Sequence, residues 1–264
     1  MIRRMSVPPT LGLVRRPADT YAPTYSNRGI AIDARCAIRQ HDAYVAALRT
    51  AGVAIQTIDG DSAYYDCVFV EDTAIVWGSA ALIVNMAGDH REGEQKAVRA
   101  VLDSSHTLFH VPAGGSIDGG DVLHCDDLTF VGRSSRTNEI GIEALRRFLE
   151  PFGRQVVAVP VERALHLKTA VTYLGDGVLI AARDLIDFDA MSAFEIVSTA
   201  PGEAGAANCL RVGQHLLIPA GYDATEQQVT EFARRRGLAV HRLDISEFEK
   251  GGGGLTCLSL LWSR

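Results

Sequence analysis

Cys209-Leu210-Arg211-Val212-Gly213-Gln214-His215-Leu216-Leu217-Ile218-Pro219 holds two short apolar runs separated by one glycine. Short runs rich in leucine and β-branched residues, hinged at Gly213, predict two strands joined by a tight turn. A helix over Thr225 to Arg236, stopped by Gly237, and a strand over Ala239 to Leu243 complete the unit. The same order of strand, turn, strand, helix, strand lies just upstream: Thr169 to Leu174, the turn Gly175-Asp176-Gly177, Val178 to Ala182, a helix around Phe188 to Phe194, and Glu195 to Val197. Another unit runs through Asp121 to Leu123, Leu128 to Val131, a helix from Asn138 to Leu149 and Gln155 to Val159. An earlier one takes Cys67 to Val70, Thr73 to Val76, Ala80 to Val84, a helix from Glu94 to Leu102 and Thr107 to Val111. The first unit spans about Asn27 to Asp59, with an opening strand, a helix over Ile38 to Ala51 ended by Gly52, and the strand Val53 to Ile58.

Five such units, spaced by roughly forty residues, read as an α/β repeat array closed on itself. An open α/β sheet is the alternative that the same alternation permits. No Gly-rich phosphate loop accompanies the units, which favours closure. In a closed array the loops at one end converge on the axis, so polar residues at equivalent strand ends meet although they are distant in sequence.

The 264 residues, 47% apolar and 22% charged, suffice for a well-filled core and are expected to form one domain over residues 1–264. A net charge of −6 and a pI near 5.7 argue against nucleic acid or an anionic membrane as partner. No run reaches the roughly eighteen apolar residues of a membrane span. Cys36, Cys67, Cys125, Cys209 and Cys257 are odd in number, dispersed and without CxxC spacing, so reduced thiols and a cytoplasmic protein are expected. The basic start Met1-Ile2-Arg3-Arg4-Met5 leads into Pro8, Pro9, Arg15 and Arg16, with no apolar signal core.

The last strand is predicted over Gly251-Gly252-Gly253-Gly254-Leu255-Thr256-Cys257-Leu258-Ser259-Leu260. Four glycines let something approach the backbone closely, and a thiol follows. A lone Cys in an apolar strand is ordinarily a small buried hydrophobe; as a nucleophile it needs a base and an orienting carboxylate from elsewhere. His166, in Leu165-His166-Leu167-Lys168 at the start of an apolar strand, reads alone as a satisfied core residue. Asp118-Gly119-Gly120-Asp121, just before a strand, reads alone as a turn. Glu71 and Asp72 interrupt the apolar run Phe69-Val70-Glu71-Asp72-Thr73, where unpartnered carboxylates would be costly. Arg91 and Arg136 fall in polar loops, the ordinary place for a solvated arginine.

Together these clusters resemble the dimethylarginine dimethylaminohydrolase family of the guanidino-group-modifying superfamily. The resemblance rests on Asp66-Cys67-Val68-Phe69-Val70-Glu71-Asp72, Asp118-Gly119-Gly120-Asp121-Val122-Leu123, Ser135-Arg136-Thr137-Asn138, Leu165-His166-Leu167-Lys168 and Leu255-Thr256-Cys257, five motifs in the family's order. It implies a five-bladed α/β propeller, the pentein fold, with pseudo-fivefold ββαβ repeats. It implies Cys257 as nucleophile, His166 as general acid and base, and Asp118 as the acidic third member. Asp72, with Asp118, would hold the guanidinium; Asp66 would order the pocket, with Glu71 beside it. Arg91 and Arg136 would grip the substrate carboxylate, and the carbonyl of Gly251 would receive its amino group. Residues Ala18 to Gly29, which show no helical or strand periodicity, would form a flexible lid. The family often carries Asp where this chain has Gly252, and several bacterial members carry Glu where Asp118 stands.

The implied reaction is hydrolysis of Nω-methylated L-arginine to citrulline and methylamine or dimethylamine, with no metal and no organic cofactor. The chemistry suits the residues, because paired carboxylates match the planar donor fork of a guanidinium and a cysteine needs a nearby cation to reach its thiolate. The expected partner is a small-molecule methylated arginine, and a homodimer is compatible with the sequence. Arginine deiminase is the nearest rival, although such chains usually carry an extra helical insertion that does not fit here. A binding protein on the same propeller is the non-enzymatic alternative, which the presence of both Cys257 and His166 disfavours.

Overall fold

The computed structural model describes residues 8–26 and 28–263, so the basic start at Met1 and the expected strand origin at Asn27 lie outside the described residues. In chain order come β1 (Leu11–Arg15), α1 (Tyr21–Ser26), α2 (Ala34–Thr50) and β2 (Ala54–Ile58). The second unit is β3 (Ala74–Trp77), β4 (Ala80–Ile83), α3 (Gln95–Leu102) and β5 (Thr107–His110). The third is β6 (Val122–Cys125), β7 (Leu128–Arg133), α4 (Glu139–Leu149) and β8 (Gln155–Pro160). The fourth begins with α5 (Leu167–Ala170) and continues through β9 (Val171–Gly175), β10 (Val178–Ala181) and β11 (Glu195–Ser198). The fifth has β12 (Leu210–Val212), β13 (His215–Pro219), α6 (Asp223–Arg235) and β14 (Ala239–Leu243), and the chain ends with α7 (Ser246–Glu249) and β15 (Leu260–Trp262).

The strands form five three-stranded sheets, each with a middle strand antiparallel to one neighbour and parallel to the other. Parallel pairing needs a crossover, which helices supply in four units; the fourth manages it with irregular chain and one 3₁₀ turn at Asp189–Met191. There the expected helix around Phe188 to Phe194 does not form. Phe188, Met191 and Phe194 recur every third residue, and they join one apolar cluster from that tight turn and its flanks.

Apolar side chains fill the wedges between successive sheets. Ile75 and Leu82 of the second unit pack with Val131, Ile142 and Leu145 of the third, and Phe130 of the third packs with Val171 and Leu179 of the fourth. The last wedge closes the ring: Tyr44 and Leu48 of α2 meet Leu217 and Leu243 of the fifth unit. Closure is also made in hydrogen bonds, because β15 pairs antiparallel with β1 in the register Leu13↔Leu260 while β1 pairs parallel with β2. This corrects the expected first unit. Its first strand is the end of the chain, and Asp33, whose carboxylate accepts the Cys36 amide at 2.9 Å, caps α2 directly. Among the described residues no helix is long and apolar enough to cross a membrane.

Candidate active site

Cys257 does not lie on a strand. After α7 the amides of Gly251 and Gly253 donate to the Phe248 carbonyl, Gly252 donates to Glu249, and a 3₁₀ turn at Thr256–Leu258 precedes β15. Strand pairing starts only at Leu260, because Gly252 at φ +80° is left-handed and the 3₁₀ turn holds the chain until Ser259 extends. Cys257 is partly exposed in this turn, and the Gly254 N–H points at its Sγ from 3.3 Å.

His166 likewise precedes a helix, where a strand was expected. It is the N-cap of α5, and the next amide, Leu167, donates to Asp121 Oδ1 at 2.9 Å. The imidazole Nε2 meets Asp118 Oδ2 at 3.1 Å. Asp118 stands immediately before a 3₁₀ turn and β6, as expected from its turn-like sequence. Asp72, on the 3₁₀ turn Val70–Thr73, accepts the Gly120 amide at 2.9 Å; the expected strand over Cys67 to Val70 is instead turn and irregular chain that runs into this 3₁₀ turn. Ligand atoms of Asp72, Asp118 and His166 all fall within 4.8 Å of one another.

Asp118, Asp72 and His166 are 1%, 3% and 6% exposed, so their charges must be balanced locally. Burial alone would lower the His166 pKa, but Asp72, Asp118 and Asp121 together raise it to about 9. Burial acts against ionised Asp72, yet His166 and Arg91 carry its carboxyl below the ordinary value. Cys257 moves the other way: burial, then the charges of Glu71 and Asp72, push the thiol up to about 12. At neutral pH both His166, as an imidazolium, and Cys257, as a thiol, therefore carry their protons.

The remaining predicted residues divide into two groups. Asp66 lies against α1, accepting from Tyr25 Oη at 2.9 Å and meeting His90 Nε2 at 3.2 Å; Tyr25 Oη is also 2.9 Å from the Gly251 carbonyl. The expected flexible lid is in part the helix α1, with Tyr21, Ala22 and Tyr25 buried. Arg91 is buried: Nη1 donates to Asp72 at 2.7 Å, Nη2 to the Phe69 carbonyl, and Nε and Nη2 grip Glu94 at 2.9 and 2.6 Å. Arg136 is half-buried beside Gly88 and has no ion-pair partner among the described residues. Glu71 turns away. Consecutive residues of a 3₁₀ turn point in different directions, so Asp72 faces His166 while Glu71 pairs with Lys168 and accepts from Thr256 Oγ1 at 2.9 Å. Glu71, Lys168 and Thr256 line a cavity of about 600 Å³ to which Cys257, His166, Asp118 and Asp72 do not contribute.

Sequence reasoning gave no role to Asp121 or Glu94. Asp121 accepts from Ser134 Oγ and Thr137 Oγ1, each at 2.6 Å, besides the Leu167 amide, and so joins the segments carrying Asp118, Arg136 and His166. Its signal was its place in Asp118-Gly119-Gly120-Asp121; Glu94, at the head of α3, offered none. Asp72, Asp118 and His166 include atoms of the right kind for a metal, but Arg91 and the imidazolium proton already compensate the carboxylates.

The sequence model described as N,N dimethylarginine dimethylhydrolase, eukaryotic, matches residues 17–260. The chain belongs to the dimethylarginine dimethylaminohydrolase family. A member of this family from Streptomyces coelicolor, named N(G),N(G)-dimethylarginine dimethylaminohydrolase, is 38% identical over 258 residues, covering 96% of this chain and 97% of the relative. The enzyme of that name from Pseudomonas aeruginosa is 32% identical over 226 residues, covering 85% of this chain and 87% of its own. The structure of a Cys-to-Ser dimethylarginine dimethylaminohydrolase from Pseudomonas aeruginosa complexed with citrulline superposes with a TM-score of 0.90 at 29% identity, over 97% of this chain and all of the other. The five-sheet ring is thus the family's pentein propeller. The N-terminal domain of a cyanobacterial arginine dihydrolase, 18% identical with a TM-score of 0.85 over 96% of this chain and 97% of that one, shares the fold.

Proposed function

We propose that this protein hydrolyses Nω-methylated L-arginine, as asymmetric dimethylarginine or monomethylarginine, to L-citrulline and dimethylamine or methylamine through a covalent intermediate on Cys257. The observation that carries the reading is the buried cluster of Asp72, Asp118 and His166, whose Asp72, with Glu71, also helps the Cys257 thiol to retain its proton. Asp72 and Asp118 accept from the substrate guanidinium, whose positive charge offsets the carboxylates that oppose a thiolate. Once the thiol has lost its proton to solvent, sulfur adds to the guanidinium carbon. His166 gives its proton to the methylated nitrogen, so the amine leaves neutral and a thiouronium stays on Cys257. Neutral His166 then takes a proton from water as its oxygen adds to the same carbon. The thiolate is expelled, the remaining hydroxyl proton passes to it or to solvent, and the neutral urea of citrulline remains.

The far end of the substrate has its own acceptors and donors. Tyr25 has one phenolic proton for two acceptors, Asp66 and the Gly251 carbonyl, so this corner lacks a donor that an α-ammonium supplies. Arg136, without an ion-pair partner among the described residues, offers its guanidinium to the α-carboxylate, and Arg91 adds the one N–H of its five not used in the protein bonds above. This remote grip fixes the reacting carbon and favours amino-acid guanidines over agmatine.

The test is an assay of asymmetric dimethylarginine, monomethylarginine, arginine and agmatine, following citrulline and released amine. Turnover of the methylated arginines, lost in Cys257→Ser, is expected; a Cys257→Ser protein with wild-type turnover removes the mechanism, and preference for arginine turns the assignment to a deiminase. The proposal also includes one catalytic domain over the whole chain, a cytoplasmic location, which suits five free thiols, and a homodimer. Exposed Phe109 and Phe152, either side of Phe148, supply an apolar face for the dimer, and light scattering decides it.

A further inference from the structure

Asn208 is 7% exposed, lies just before β12, and had no place in the reading of the sequence. Its carboxamide touches both halves of the candidate machinery. Oδ1 accepts the Thr256 amide at 2.9 Å, and Nδ2 donates to Thr256 Oγ1 at 3.2 Å and to the Lys168 carbonyl at 3.0 Å. Thr256 adjoins Cys257, and Lys168 is on the short helix that His166 caps. The flat face of the amide also supports Gly254: a Cβ there would stand 2.4 Å from the Asn208 carboxamide carbon. Gly254 is the residue whose N–H points at Cys257 Sγ. Thr256 Oγ1 passes its own proton to Glu71 and so accepts from Nδ2, which fixes the orientation of the amide.

We infer that Asn208 is a positioning residue, a clamp that sets Cys257 Sγ and the Gly254 N–H against His166 by tying the nucleophile turn, which leads into β15 of the first sheet, to α5 of the fourth unit. Among the described residues the only other side chain that bonds both segments is Glu71, which reaches them through Lys168 Nζ and Thr256 Oγ1, at the ends of side chains; Asn208 also holds backbone. The inference rests on the proposed role of Cys257 as nucleophile.

The experiment compares wild type, Asn208→Ala and Asn208→Asp. Aspartate keeps the acceptor for the Thr256 amide but loses both donors and sets an oxygen against the Lys168 carbonyl. Readouts are the second-order rate of Cys257 alkylation by the cationic reagent chloroacetamidine, kcat and KM for monomethylarginine, and the thermal midpoint. A displacement near 1 Å costs on the order of 100-fold in rate. Both variants are expected to lose kcat on that scale and to slow in alkylation while KM stays within about twofold, because the substrate's anchoring groups are untouched. Variants that melt earlier but keep wild-type kcat and alkylation rate overturn the inference and leave Asn208 as packing. Equal losses in kcat and 1/KM overturn it too, since they mark a distorted substrate site. If Asn208→Ala does not fold, Asn208→Asp decides alone. If wild type hydrolyses no methylarginine, the proposed substrate fails, while alkylation still reports on the clamp.

Discussion

At neutral pH Cys257 keeps its proton because burial and the charges of Glu71 and Asp72 disfavour a thiolate, while His166 keeps its own because Asp72, Asp118 and Asp121 outweigh its burial. A reagent that brings positive charge should therefore ionise the thiol that a neutral one leaves untouched. Chloroacetamidine is expected to inactivate at pH 7 roughly tenfold faster than chloroacetamide or more, after correction for their rates with a free thiol; tenfold is about 1.4 kcal/mol of charge interaction. Equal corrected rates would show that the thiolate forms without help. Asp118→Asn tests the other proton. Losing that charge and hydrogen bond lowers the His166 pKa from about 9 toward the ordinary value, so the acid form that protonates the amine is lost at lower pH. The alkaline limb of kcat should move down in pH, with kcat reduced on the order of 100-fold or more; an unmoved limb separates Asp118 from His166 function. Cys257, His166, Asp118 and Asp72 could be singled out because they stand in five collinear motifs that resemble the family; alone, the first three read as core residue, core residue and turn. Asp121 and Glu94 were given no role, since what they do depends on partners such as Leu167 and Arg91 that only folding or a local turn brings to them.

The glycine run was read as strand, and as an element it is a turn between α7 and β15, with each glycine under a different demand. A Cβ on Gly253 would stand 2.1 Å from the Phe69 ring, which is itself wedged between Tyr21 and Phe248. Nothing lies within 4 Å of a Cβ on Gly252, whose constraint is only φ +80°. The residue where the family often carries Asp thus has open space, and Asp tolerates the left-handed region better than most. Gly252→Asp is expected to change stability by about 1 kcal/mol or less and to retain most activity. Gly253→Ala should cost about 1–3 kcal/mol by overpacking and displace the nucleophile turn. Urea denaturation and kcat for the two variants check this, and a more damaging Gly252→Asp would mean that the departure at that position carries specificity. Sequence could flag the run as a place of close approach; which atoms approach, Phe69 above all, is a tertiary fact. The same limit explains His166, where apolar neighbours suggested a strand and a four-residue helix formed first.

Across the whole molecule the repeat was legible because each unit repeats one hydrophobic pattern, and four of the five units fell near their observed strands. The first was out of phase because a ring must be closed by its ends. The partner of β1 is β15, at the opposite end of the chain, and local pattern carries no information about that pairing. Closure also buries one face of α2 between the first and fifth sheets, and with it His41, 2% exposed and with no partner for Nε2 among the described residues. Burial lowers its pKa to about 4; Arg16 acts in the same sense, and Asp42 and a backbone bond at Arg15 oppose it. In the unfolded chain the group returns to about 6.5. As pH falls below 6.5 the unfolded state takes up a proton that the folded state refuses, so the stabilising contribution, complete above 6.5, drains away until about pH 4 and then levels. That interval is worth about 3 kcal/mol. Urea unfolding of wild type and His41→Gln at pH 7 and pH 4 should show the wild type losing about that much more stability than the variant. Parallel losses would mean that α2 opens enough at low pH for His41 to protonate within the folded ring.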